Sequence, residues 1–245
     1  MNPAILSAAA GMVARGASLE ALANNLANAS TIGYKADHDF YQAFRGALAE
    51  PPADGGDAAA PYAAGARIDF RQGPLKATGS ALDVALRGPG FLVVEGETGP
   101  LYTRAGELDV AADGTLLGPA GLPVVGDDGE PIVLPPTGPA SIDAAGVVRA
   151  GPAVVGRLRI VEFPENPALA RAGGQLLRPL SEEAPTPAER TTLEPGYLEA
   201  SNVEAAPSLA RLLTVTRHFE MLRRTASLAG EQLDGQAVER LARTS

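Results

Sequence analysis

The 245-residue chain has no cysteine and no tryptophan, and only 4% of its residues are aromatic. Without cysteine there is no disulfide, no thiolate metal ligand and no cysteine nucleophile. So few aromatics argue against a large aromatic-lined ligand pocket. Positive charge is also thin: 20 Lys and Arg stand against 29 Asp and Glu, for a net charge of −9, and the basic residues are scattered along the chain. Proteins that neutralise phosphates need a basic face, so neither nucleic acid nor an anionic membrane surface is an expected partner. No run of 18 apolar residues occurs, so no membrane-spanning helix is expected. The first ten residues are apolar but lack a basic stretch, and are read as mature structure rather than a cleaved signal peptide.

Candidates for chemistry are equally few. His38 lies between Asp37 and Asp39 in a segment read as solvated loop, and His218 falls in a C-terminal helical pattern. No further His or Cys completes a metal site, and there is neither a Gly-x-Ser-x-Gly elbow nor a phosphate-binding Gly-x-x-x-x-Gly-Lys loop. Gly126-Asp127-Asp128-Gly129-Glu130 has the acidity of a calcium loop without its alternating ligand spacing, and is read as a hairpin turn. The expectation is a protein that is not an enzyme, with no catalytic residue, cofactor, metal or small-molecule substrate.

What the chain does have is small residues and pattern. Ile5, Ala9, Met12, Gly16, Leu19, Ala23 and Leu26 follow one another at alternating spacings of four and three, the seam of a helix made to pack on another. Helical character should fade at Asn28-Ala29-Ser30-Thr31-Ile32-Gly33. Residues 45–66 are rich in Ala, Gly, Pro and Asp and read as a linker. From Arg67 to about Pro164, short runs of Val, Ile, Leu and Phe alternate with Gly, Pro and Asp, and Asp113-Gly114 and Asp128-Gly129 mark hairpin turns. Residues 164–195 read as Pro-rich and irregular. After Pro207, Leu209, Leu212, Leu213, Thr216, Phe219, Leu222, Ala226, Ala229 and Leu233 form a second helical stripe. The predicted fold class is α+β. Long N- and C-terminal helices pair in a coiled-coil-like manner around a central antiparallel, sandwich- or barrel-like β domain. The expected divisions are 1–35, an axial helix with its motif; 36–65, a linker; 66–195, the β domain; and 196–245, the C-terminal helix.

Three segments, in order, carry a resemblance. Ala23 to Lys35 (A-N-N-L-A-N-A-S-T-I-G-Y-K) resembles a signature in which a helix ends in N-N-[LI]-A-N before T-x-G-[YF]-K. Gln72 to Leu86 is similar to Q-G-x-L-x-x-T-G-x-x-L-D-x-A, and continues through Gly90-Phe91 to Tyr102-Thr103-Arg104-Ala105-Gly106. Gly196 to Val203 (G-Y-L-E-A-S-N-V) is similar to the stretch leading into a C-terminal helix. All three are features of the flagellar axial proteins, the subunits of the bacterial basal-body rod and hook. Arg217-His218-Phe219-Glu220, Tyr34 and Gln236-Ala237 resemble the proximal-rod branch of that family.

The resemblance implies a structural subunit of the proximal rod. Such a subunit would leave the cell through the flagellar export apparatus without a cleaved signal peptide. It would then join other rod proteins, as a homo- or hetero-oligomer, in a helical, torque-transmitting shaft across the periplasm. The subunit interface is expected at Ile5, Met12, Leu19, Asn24, Asn25, Leu26, Asn28, Leu209, Leu212, Leu213, Thr216, Phe219 and Leu222, with the amides of Asn24, Asn25 and Asn28 bonding to backbone at the helix end and to a neighbouring subunit. Two alternatives stay open: a distal rod protein of the same family, and a small β-domain binding module, which a ligand-dependent thermal shift would reveal.

Overall fold

A computed structural model describes residues 3–38, 68–136, 138–163, 169–180 and 184–243; helix side chains are described at 12, 13, 15–27, 205–224 and 227. Most of the expected linker therefore lies outside the described residues. The chain forms two compact units. One holds two helices; the other, β-rich, comprises residues 28–36 and 68–203.

Helix α1 spans Pro3–Ala27. Its many alanines favour the helix, whereas Gly11 and Gly16 each oppose it by about 1 kcal/mol relative to Ala. It stops where Asn28–Ser30 form a turn, with the Thr31 N–H donating to the Asn28 carbonyl at 3.1 Å. Helix α2 spans Ala205–Arg243. Pro207 sits in its first turn, where the missing N–H would have had no helical acceptor. The first helical bond follows at once, from the Ser208 N–H to the Glu204 carbonyl at 3.0 Å.

The coiled-coil-like pairing of the terminal helices is overturned. The helices, 25 and 39 residues long, do contact each other, but not along the expected seam. Among the described side chains of α1 the buried positions are Ser18, Ala21, Leu22 and Asn25, whereas Ala23 of the seam is exposed. A Cβ built on Gly16 would meet nothing within 4 Å, so no close helix packing explains that glycine. On α2, Leu209 and Leu213 are 47% and 55% exposed, whereas Val215, two residues further on, is buried. A heptad seam needs its apolar knobs enclosed, and these are not. The architecture is an α+β chain with a mostly β central unit.

Within the β unit, a six-stranded antiparallel sheet runs in the order 169–173, 176–179, 99–103, 91–96, 160–162, 186–187. Strand Phe91–Gly96 lies inside it, and its first four residues are all buried, as expected of a strand covered on both faces. Leu92 and Val94 join Val84, Leu86, Leu116, Val124, Val148 and Leu158 in an aliphatic core. Phe91 and Val93 face a second cluster in which the rings of Phe70, Phe91, Phe163 and Tyr102 meet edge to face, at centroid distances of 4.9–5.8 Å. Four of the chain's aromatic residues are thus used in the β unit's own core. The turns at Gly114 and Gly129 form where Asp-Gly predicted them. Both glycines have φ near +90°, and Asp113 and Asp128 each accept an N–H two residues on.

The stretch 164–195, read as irregular, contains strands at Leu169–Gly173, Leu176–Pro179, Thr186–Pro187 and Thr192–Pro195. Each is short, and three of the four pair with strands far away in sequence; Leu193, for example, is opposite Leu86.

Candidate functional site

The three sequence motifs converge in the β unit at one buried carboxylate. Glu199 ends strand Tyr197–Glu199, which pairs antiparallel with Leu75–Ala77, placing Leu75 opposite Glu199. Its backbone carbonyl accepts the Gly33 N–H at 2.7 Å. Its Oε1 accepts from Lys35 Nζ at 2.6 Å and from the Gly73 N–H at 2.7 Å, and its Oε2 faces Arg104 Nη1 at 3.4 Å. The side chains of Lys35, Arg104 and Glu199 are all enclosed, at no more than 2% exposure.

Charges out of water need partners, and each of these has at least one, although the Arg104 Nε is buried without a hydrogen-bond partner. Lys35 Nζ also donates to the Arg71 carbonyl at 2.9 Å, and Arg104 Nη2 donates to the Gly88 carbonyl at 2.6 Å. The Arg104 guanidinium lies 4.9 Å from the centre of the Phe91 ring. Two cations share one carboxylate, and the protonation of both cations is weakened. Burial holds the Lys35 pKa below the ordinary lysine value; Glu199 opposes the shift and the neighbouring Arg104 charge adds to it. Arg104 is lowered by burial too, against the pull of Glu199.

Around this centre the backbone is fastened as tightly as the charges. Asn202 accepts the Ala36 N–H at 2.7 Å through Oδ1, and its Nδ2 donates to the carbonyls of Asp69 (2.8 Å) and Arg71 (3.0 Å). The Asp69 N–H donates to the Ala36 carbonyl at 2.7 Å. From the edge strand, the Arg171 guanidinium donates to the Lys35 carbonyl and lies 4.1 Å from the Tyr34 ring centre. Glycine at position 33 is dictated twice over. Its φ is +68°, and a Cβ would fall 2.3 Å from the Ala105 nitrogen. Segments 31–36, 68–75 and 197–202 thus form one clasp, with Glu199 at its centre.

Two family descriptions match the chain: the flagella basal body rod protein over residues 5–35, and the D1 domain of flagellar hook protein FlgE/F/G over residues 85–150. Whole-chain relatives agree. The flagellar basal-body rod protein FlgF of Caulobacter vibrioides is 33% identical over 228 residues, 91% of each chain. The chain belongs to the flagellar basal-body rod protein family. FlgF of Salmonella typhimurium is 34% identical, covering 81% of this chain and 82% of its own length. FlgG of Agrobacterium fabrum is 31% identical, over 93% of this chain and 95% of that one. These are structural proteins of the flagellar rod, and the family places this chain in the basal body.

Seen as a rod protein, the molecule uses its signature residues partly within the chain. Lys35 closes the rod-protein match and Arg104 lies inside the D1 match, while Glu199 lies beyond both. Asn25, expected to bond helix-end backbone and a neighbouring subunit, is buried in the helical unit, where it donates to the Asp37 carbonyl and accepts the Asp37 N–H, each at 2.8 Å. Asn28 Oδ1 accepts the Thr31 hydroxyl at 3.2 Å. Asn24 is exposed on α1; Met12, Leu19 and Leu26 are half-buried there. Ile5 lies in α1, its side chain outside those described. On α2, Leu212, Thr216, Phe219 and Leu222 are half-buried, and the Thr216 hydroxyl donates to the Leu212 carbonyl at 2.8 Å. The thirteen expected interface residues thus lie on the two helices or, for Asn28, in the turn after α1; they do not gather at the clasp. Sequence reasoning assigned no role to Gly73, Arg104, Glu199 and Asn202, although its motifs contained them. Charged residues inside apolar, glycine-rich motifs were the available signal. His38 is exposed, and among the described residues no cluster of three or more His, Asp or Glu could hold a metal.

Proposed function

We propose that this rod protein is a non-catalytic subunit of the proximal rod, exported through the flagellar apparatus. It assembles with other rod proteins, and with copies of itself, into a helical shaft that transmits torque. The subunit contacts are made by α1 and α2, at the exposed and half-buried interface positions named above. The observation that carries this reading is the exposure of large apolar side chains on the helices: Val13, Leu209, Leu213 and Met221 are each about half exposed or more. Leu209 and Leu213, four residues apart, share a helix face. Apolar surface left in water on a helix is the ordinary mark of a partner surface.

The test introduces charge on that face. Strains carrying Leu209→Asp with Leu213→Asp should export the protein yet lack complete rods in isolated basal bodies. Normal basal bodies in such strains would overturn the assignment of this face to assembly. A distal-rod reading draws support from FlgG of Agrobacterium fabrum, whose 31% identity is close to that of the FlgF proteins. Electron density of basal bodies carrying a tagged copy of the chain separates the two, because the tag marks either the membrane-proximal or the distal stretch.

A further inference from the structure

All four places where the chain passes between its helical and β units lie at the clasp. They fall after Ala27, after Ala36, before Ile68 and after Val203. Segments 31–36, 68–75 and 197–202 are the parts of the β unit that adjoin these crossings. Tension carried along the chain between helices and β unit therefore enters the β unit through them. These segments are cross-tied by side chains from residues remote in sequence: Lys35 to Glu199, Ala36 to Asn202, Asn202 to the Asp69 and Arg71 carbonyls, and Glu199 to the Gly73 N–H. Arg104 and Arg171 tie the same knot to the strands of the six-stranded sheet or their ends.

The geometry points to a mechanical role for this cluster: the clasp centred on Glu199 is the fastening through which load passes between the helices and the β unit of the rod subunit. This rests on the rod reading for its biological setting, but not for its measurement. A strand end held only by ladder bonds can be peeled away one bond at a time. A buried lysine held by a carboxylate and a carbonyl resists leaving alone, because its departure leaves the Arg71 carbonyl without that donor and buried Glu199 with only Arg104 and the Gly73 N–H. The clasp also shares load between the entering segment, 31–36, and the leaving segment, 197–202, so neither end is pulled alone.

The absence of native cysteine allows a direct test on the purified full chain. Handles attached at Ala23→Cys on α1 and Ala112→Cys in an exposed turn place residues 28–36 in the path of the force; handles at Glu97→Cys and Ala112→Cys leave them out. In an optical trap the first pair should show a discrete rupture that Lys35→Met abolishes and Asn202→Ala moves to lower force. The second pair should be unaffected by Asn202→Ala. Should Lys35→Met fail to fold, Asn202→Ala decides alone, since it removes three hydrogen bonds from a half-buried side chain without stranding a charge. Rupture at wild-type force in every folded clasp variant overturns the proposal. Swimming that survives deletion of the whole gene overturns the rod reading instead, and leaves the rupture measurement standing.

Discussion

The β unit and the helices handle apolar surface in opposite ways. In the β unit Val84, Leu86, Leu92 and Val94 are wholly enclosed. On the helices the buried positions among the described side chains are Ser18, Ala21, Leu22, Asn25 and Val215, while Leu209, Leu213 and Met221 are about half exposed. The first arrangement stabilises a subunit by itself. The second leaves burial to be completed by something else, as suits a protein of a multi-subunit rod. Stability of the subunit and competence to assemble should therefore be separable by mutation, residue by residue.

The largest effect should come from the clasp. Lys35→Met leaves Glu199 buried with a weaker set of partners and should destabilise the β unit by about 3–5 kcal/mol, read from the midpoint of urea unfolding by circular dichroism. Next comes a matched pair of leucines. Leu92→Ala empties a closed core and should cost about 2–5 kcal/mol, while Leu213→Ala on the exposed helix face should change stability by less than about 0.5 kcal/mol. Equal losses from the two would erase the distinction between the units.

A smaller effect should follow pH at Glu162. Burial opposes its charge, but hydrogen bonds from the Thr191 hydroxyl and from the Arg190 backbone and side chain prevail and hold its pKa below the ordinary 4.5. The folded carboxylate thus binds its proton less readily than the unfolded one. Its contribution is full above pH 4.5 and is lost as pH falls through the lowered folded value. Glu162→Gln should consequently lower the unfolding midpoint at neutral pH, and its gap from wild type should close in acid. A gap that stays constant with pH would assign the carboxylate no such role. Smallest of all, His38→Ala should leave swimming speed and stability unchanged, because the side chain is exposed and the rod reading gives it no proton to move. Loss of motility with intact rods would refute that.

Much of this was legible in sequence where the information is local. Helix α1 ends at the expected cluster of turn formers, and both Asp-Gly turns form where they were predicted, because a turn is decided by the residues that make it. Strands such as Thr192–Pro195 were missed because their stability comes from distant partners: Leu193 becomes a strand residue by facing Leu86. The heptad on α1 misled for a related reason. Ala, Gly and Met at spacings of three and four satisfy a helical period, but the period does not say which face is enclosed, and the enclosed face includes Ser18 and Asn25. At the clasp, Lys35 and Glu199 were both quoted within motifs. Nothing in either motif indicates that the two side chains meet.

Lys35 and Glu199 are separated by 164 positions along the chain, which gives the clasp a place in time as well as in space. Whichever end of the polypeptide leaves a narrow channel first, Lys35 cannot find its carboxylate until nearly the whole β unit has emerged. Contacts so far apart in sequence form slowly, since a long loop must close before they contribute anything. Closure of the clasp is therefore a late event, and on the proposed export route a subunit in transit would remain unfastened until both residues are through.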